Sequence, residues 1–270
     1  MQLINLEAAI AGKAPHLRKN IPTWLIRMAE RIVCQEEMND ILTRLGHNKG
    51  AAFAKAMSED MHVTYTVHGM ENLKRDGHYM LVSNHPLGAF DGISYIGVFG
   101  SFFPHIKVIV NDLLMYIDPL RSVFLPVNTM GRQKREDMAE LQKAYNDPET
   151  QLISFPAGFC SRYIGGKVQD IEWKKSVIKQ SVEAGRDIVP IYFDGRNSIA
   201  FYALEWLRRK LGIKFNIGLI LLPRQMIKTA RGKHFGIYIG KPIPYRHFDK
   251  SRTDEEWAQW LREECYRLRP

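Results

Sequence analysis

No hydrophobic run in this chain is long enough to cross a bilayer as a helix. The nearest approach, Ile93 to Phe103, falls well short of the roughly 20 apolar residues that a spanning helix needs. A helical integral membrane protein is therefore excluded. Cysteine is scarce: Cys34, Cys160 and Cys265 are odd in number, widely spaced and free of any CxxC pair, so neither a disulfide framework nor a thiol zinc site is expected. A reducing compartment fits that usage. The nine histidines show no HxH or HExxH spacing, which argues against a metal-dependent hydrolase. No RNP-like aromatic pattern accompanies the basic residues, so a nucleic-acid partner is not expected. The amino terminus, Met1-Gln-Leu-Ile-Asn-Leu, lacks the basic flank and apolar core of a signal peptide and reads as mature sequence. Repeats, low-complexity tracts and Pro/Gly/Ser-rich linkers are missing as well, which leaves one domain as the natural reading of 270 residues.

What the chain does have is charge, unevenly placed. The net charge is +9, and Glu205 to Lys233 holds eight basic residues (Arg208, Arg209, Lys210, Lys214, Arg224, Lys228, Arg231, Lys233) against the single acid Glu205. Such a stretch attracts polyanions, and an anionic membrane surface satisfies it as well as any other. Within it, Phe201, Tyr202, Leu204, Trp206, Leu207 and Leu211 recur at helical spacing beside the basic cluster, the pattern of either an interfacial helix or a core-packed one with a solvated end.

Periodicity divides the chain into two regions. Trp24, Leu25, Met28, Ile32, Met38, Ile41 and Leu45 recur helically, with Pro22 and Thr23 suited to a start and Gly46 to a stop, so residues 1–60 read as a helical extension. Residues 61–270 alternate short β-rich runs with helical ones. Strands are expected at Val63–Val67, Tyr79–Ser83, Lys107–Val110, Gln151–Phe155, Ile188–Phe193 and Phe235–Ile239, with Ile217–Leu222 open between strand and buried helix. Helices are expected at Gly92–Gly100, Arg132–Tyr145, Ile171–Ala184, Ser198–Leu211 and Thr253–Leu268. This alternation predicts an α/β fold with a sheet covered on both faces.

One segment carries chemistry. The apolar run from Tyr79 stops at Asn84-His85-Pro86, where proline forbids helix and holds His85 at a strand's end. Gly88 permits a tight turn, and Asp91 stands where it can cap a helix beginning at Gly92. Six positions apart on a continuous helix, His85 and Asp91 would face different ways, so only a broken backbone brings them together. A carboxylate beside an imidazole fixes its tautomer and stabilises the imidazolium, making a general base. Asp91 as a simple cap and His85 as a turn histidine is the other reading.

The segment Asn84-His85-Pro86-Leu87-Gly88-Ala89-Phe90-Asp91-Gly92 resembles the His-x4-Asp motif of the glycerolipid acyltransferases, with one extra residue between the two. That spacing is similar to a bacterial branch which O-acylates lyso-ornithine and lyso-glycine lipids. Three further blocks follow in the family's order, so that the resemblance runs from about Val63 to Pro244. Arg121-Ser122-Val123-Phe124 is similar to the second block, Phe155-Pro156-Ala157-Gly158 to the Phe-Pro-Glu-Gly block, and Ile188-Val189-Pro190-Ile191 to the Val-Pro-Ile block. The resemblance implies a single α/β domain of the glycerol-3-phosphate acyltransferase type, with a mixed, mainly parallel sheet flanked by helices and the amino-terminal helical extension.

It further implies catalysis by His85 and Asp91, with substrate contacts from Asn84, Gly92, Arg121, Phe124, Phe155, Pro156, Gly158 and Arg162. No bound cofactor is expected; acyl carrier protein or coenzyme A delivers the acyl group as a thioester. Acceptor and product are lipids, which implies a cytoplasmic protein associated peripherally with the inner face of the cell membrane. Amides at Gly158 or at the start of the Gly92 helix are candidates to stabilise the oxyanion. Cys160 reads as a packed apolar residue. Ala157 stands where the family has glutamate, Arg162 lies two positions further along than usual, and Val127-Asn128 occupies the place of the second block's arginine. Without that guanidinium geometry a glycerol phosphate loses its clamp, and a non-phosphorylated acceptor such as a lyso-aminolipid fits better. Arg121, Arg132 and Arg162 remain available to a carboxylate or phosphate. Phosphatidate formation from 1-acylglycerol 3-phosphate, and a non-catalytic lipid-binding relative, are the alternatives.

Overall fold

Two apolar layers, one on each side of a sheet, account for how the chain folds. A computed structural model describes residues 3–13, 21–128, 134–212 and 217–270. It opens with helices α1 (Leu6–Lys13), α2 (Thr23–Ile32), α3 (Gln35–Leu45) and α4 (Gly50–Asp60). Then come β1 (Thr64–His68), β2 (Tyr79–Ser83), α5 (Phe90–Phe99), β3 (His105–Asn111), β4 (Phe124–Val127), α6 (Arg135–Asn146) and β5 (Thr150–Ser154). A hairpin of β6 (Arg162–Ile164) and β7 (Lys167–Gln169) follows, then α7 (Ser176–Ala184), β8 (Asp187–Asp194), α8 (Ile199–Lys210), α9 (Ile217–Arg224), β9 (His234–Ile239) and α10 (Asp254–Arg267).

The main sheet has seven strands in the order β1-β9-β8-β2-β5-β3-β4, parallel throughout except for the antiparallel β8–β9 pair. Because strand side chains alternate, successive residues of one strand serve opposite layers. Leu81, Ile153, Val189, Ile191 and Phe193 join one buried cluster with residues of α3, α4 and α5. Met80, Val82, Leu152, Ile188 and Tyr192 join the other with residues of α6, α7 and α10. Both faces are thus covered, as the alternation of strand-like and helical runs requires, and the single α/β domain with a mixed, mainly parallel sheet is as expected.

Several elements depart from the reading of the sequence. The first sixty residues break at Cys34, which adopts a left-handed φ of 53°, and α2 turns Ile26 inward while Trp24 and Met28 remain exposed. The ambiguous run at 217–222 is helical in α9, which continues into a π-helical turn at Gln225–Thr229. Helix α7 begins at Ser176 instead of Ile171, because Trp173 and Lys174 are held by Gln259 and by the Pro156 carbonyl instead of by a helical ladder. Strand β4 has no counterpart among the expected strands. It tolerates Pro126 because it is the sheet's edge, where a missing N–H costs no ladder bond. Arg132, the expected start of α6, lies outside the described residues.

Candidate active site

Strand β2 ends at Ser83, in the middle of the sheet, and everything that follows is arranged around that end. Asn84 extends the ladder with its side chain: its Nδ2 donates to the Phe193 carbonyl at 3.0 Å and its Oδ1 accepts from the Phe193 amide at 2.8 Å. The chain then turns through Pro86 and Gly88 into α5. Gly88 has φ +79°, and a Cβ there would lie 2.7 Å from Cys160 Cβ, so both backbone and space demand glycine.

This turn brings His85 Nδ1 to 3.0 Å from Asp91 Oδ2. Asp91 is fully buried, while the imidazole is partly open to solvent. Asp91 is not the helix cap. The cap position is Ala89, and Asp91 lies in the first turn, where its Oδ2 accepts from the Leu87 and Gly88 amides at 3.0 and 3.3 Å and its Oδ1 from the Gly92 amide at 2.9 Å. Three amide donors at a helix amino terminus orient the carboxylate and leave it no freedom to turn. With Nδ1–H donating to that carboxylate, Nε2 is the nitrogen left to take a proton.

The ring is fixed from its flat side too. Phe155, just beyond β5, stacks on His85 at 4.0 Å between centroids, and Tyr95 stacks on Phe155 at 5.9 Å. The Tyr95 hydroxyl bonds to Ser83 Oγ at 2.7 Å, closing a path back to β2. Beneath the loop lies Asp170, which accepts from the His85 amide at 3.3 Å, from the Ser161 hydroxyl at 2.6 Å and from Trp173 Nε1 at 2.9 Å. Burial pushes its carboxyl above the usual range. Ser161 in turn donates its amide to the His85 carbonyl at 2.8 Å. Asn197 Nδ2, from the loop before α8, donates to the Pro86 carbonyl at 3.0 Å.

Among known proteins, the model of the acyltransferase family matches residues 8–270. The chain belongs to that family. Two lyso-glycine lipid O-acyltransferases are similar to this acyltransferase over nearly its whole length. That of Bacteroides thetaiotaomicron is 40% identical over 98% of this chain and 97% of its own, and that of Phocaeicola vulgatus 39% identical over 98% and 95%. The crystal structure of the 1-acyl-sn-glycerophosphate acyltransferase of Thermotoga maritima aligns with a TM-score of 0.46 at 18% identity, over 91% of this chain and 92% of that one.

Of the positions expected to meet substrate in this acyltransferase, Phe155 and Gly92 adjoin the dyad; a Cβ at Gly92 would lie 3.7 Å from the Phe155 ring. Pro156 is buried next to Phe155, and Gly158 closes the turn with a 2.9 Å bond from its amide to the Phe155 carbonyl. The Gly158 amide and the Gly92 amide, alternative candidates for stabilising the oxyanion, are each bonded internally here. Asn84 is taken up by Phe193. Arg162 is buried and held: Nη1 donates to the Cys160 carbonyl at 2.7 Å, and Nε pairs with Glu205 at 3.1 Å. Arg121 and Phe124 stand apart. They lie before and at the start of β4, and since β4 runs parallel through β3 and β5 to β2, they are nearer the amino-terminal end of the sheet than His85, which follows β2's carboxyl end. Val127 ends β4 on the His85 side, with Asn128 just beyond it. Cys160 is buried, its thiol pushed up to about 11 mainly by desolvation, which suits packing and not nucleophilic attack.

Asp170, Tyr95, Ser161 and Asn197 escape the sequence reading. Asp170 lies 85 positions from His85 and Asn197 111 from Pro86, and neither sits in a spacing that a sequence pattern could disclose.

Proposed function

We propose that the chain moves a fatty acyl group from a thioester to the hydroxyl of a lyso-aminolipid of the glycine- or ornithine-lipid type. His85 Nε2 takes the acceptor's hydroxyl proton while that oxygen attacks the thioester carbonyl. Collapse of the tetrahedral species breaks the carbon–sulfur bond, and the imidazolium returns its proton to the departing thiolate. The products are an ester and a free thiol of acyl carrier protein or coenzyme A. Asp91 holds the tautomer and offsets the charge that His85 acquires. The observation that carries this reading is the 3.0 Å bond from His85 Nδ1 to a fully buried carboxylate. The two bacterial relatives named as lyso-glycine lipid O-acyltransferases support the acceptor class. Among the described residues no helix is long and apolar enough to cross a membrane, which is compatible with peripheral association at the inner, cytoplasmic face of an anionic membrane.

The test is an acyl-transfer assay with purified protein, thioester donors on acyl carrier protein or coenzyme A, and a panel of lysolipids. His85→Ala is expected to lower kcat by about 10²–10⁴-fold, and Asp91→Asn to approach it by favouring the wrong tautomer. Transfer that survives both substitutions undamaged rules the dyad out.

A further inference from the structure

Helix α8 carries apolar side chains on both its buried and its exposed face. A helix lying on a soluble protein normally buries its apolar stripe and shows its charges to water. Here the inward residues include Phe201, Tyr202 and the helix's single acid, Glu205, only 2% exposed, while Ile199 is 87%, Trp206 52% and Leu211 64% exposed, with Leu204 and Leu207 beside them. Glu205 is bonded on its buried side to Arg162 at 3.1 Å and to Arg208 at 3.2 Å. The outward face ends in Arg209 and Lys210, and Lys210 Nζ lies 5.0 Å above the Trp206 ring. Exposed aromatic and leucine side chains flanked by basic residues match the polarity step at a membrane surface, where rings settle at headgroup depth and cations meet lipid phosphate.

We propose that the outward face of α8 docks this protein on an anionic lipid surface, with Trp206, Leu207 and Leu211 entering the interfacial layer and Arg209 and Lys210 meeting the headgroups. The occupant follows from charge complementarity: Glu205 is turned inward with Arg208 paired to it, and Arg209 and Lys210 are turned outward, so the face answers a negatively charged plane. The docked element is also tied to the catalytic loop. Asn197, two residues before α8, bonds to the Pro86 and Leu87 carbonyls, and Arg162, one residue beyond the Ser161 that holds His85, pairs with Glu205. Docking by α8 therefore seats the His85 end of the sheet at the surface that carries the acceptor. The assignment rests on the lipid-acceptor reading above, but its test involves no turnover.

Co-sedimentation of the full chain is measured with phosphatidylcholine vesicles with and without phosphatidylglycerol. Wild type is expected to partition onto the anionic vesicles and to release at high salt. Removing charge in Arg209→Gln/Lys210→Gln should weaken partitioning about fivefold per residue, the effect of a basic group near such a surface. Trp206→Ser/Leu207→Ser should weaken it about tenfold or more, and circular dichroism melting should not move because these side chains face solvent. His85→Ala should dock like wild type while losing transfer, and wild type that docks but transfers no acyl group counts against the proposed reaction alone. Equal partitioning by wild type and both double variants overturns the proposal. So does a wild-type dimer in light scattering that Trp206→Ser/Leu207→Ser dissociates, since the face then belongs to a second copy of the chain.

Discussion

Asp170 is 1% exposed and serves three donors at once: the His85 amide, the Ser161 hydroxyl and the Trp173 indole. Through the first two it fixes the backbone from which the imidazole hangs. Burial raises its folded pKa, and the sign of the consequence follows. With the folded value above the unfolded one of about 3.9, protonation favours folding; the contribution is full below the unfolded pKa and is lost as pH rises through the folded pKa. The side-chain amide of an Asp170→Asn variant does not titrate and sets the baseline. The stability of wild type relative to Asp170→Asn, from urea unfolding, should be greatest below about pH 4 and decline toward neutrality. A difference that stays flat between those limits, or grows with pH, is incompatible with a raised Asp170.

Elements here are fastened by a few side chains with many partners. Arg186, which opens onto β8, is completely buried and donates to five carbonyls: Tyr145 at 2.7 Å, Tyr79 at 3.1 Å, Thr150 at 2.7 Å, Ala144 at 2.8 Å and Asp147 at 2.6 Å. Its five N–H groups match these acceptors, several of them orphan carbonyls at the carboxyl end of α6 that favour a cation. Burial still pulls its pKa down to about 10. Arg186→Lys has only three donors on a point charge and leaves carbonyls unpaired in the interior, so we expect it to cost about 3 kcal/mol or more in urea unfolding. A loss below about 1 kcal/mol would mean that water enters and replaces the guanidinium. Such fastenings limit what a sequence discloses. Tyr79–Ser83 is legible to the residue because a five-residue apolar run ends at Asn-His-Pro. The β6–β7 hairpin has a readable signal too, in Gly165-Gly166, whose φ values of 58° and 79° fit a primed turn. Strand β4 is hidden by Pro126, which only its edge position excuses. The delayed start of α7 is not readable at all, since Trp173 answers to Gln259 in α10, 86 residues away.

Over the whole molecule, the positive charge that dominates the composition is divided by the fold. Lys228 pairs with Glu37 at 2.8 Å, Arg231 reaches Asp60, Arg208 and Arg162 share Glu205, and Arg209 and Lys210 face outward on α8; Lys214 lies outside the described residues. The basic run of the sequence is thus not one patch around the dyad. That bears on the acceptor. Arg162 spends its Nε on Glu205 and its Nη1 on Cys160, Ala157 is buried with no charge to offer, and Val127 and Asn128 stand at the end of β4 toward His85. A phosphate monoester arriving here finds the expected guanidinium clamp dispersed, whereas the amide and carboxylate of a glycine lipid ask for less. Each charge-assisted hydrogen bond forgone is worth about 1.5–3 kcal/mol, and about 1.4 kcal/mol is tenfold in binding. We therefore expect kcat/KM for a lyso-glycine lipid to exceed that for lysophosphatidate by at least about tenfold, measured side by side with the same thioester donor. Equal or better use of lysophosphatidate would overturn the acceptor class while sparing the dyad, because the role proposed for His85 needs only a hydroxyl, which both lipids present.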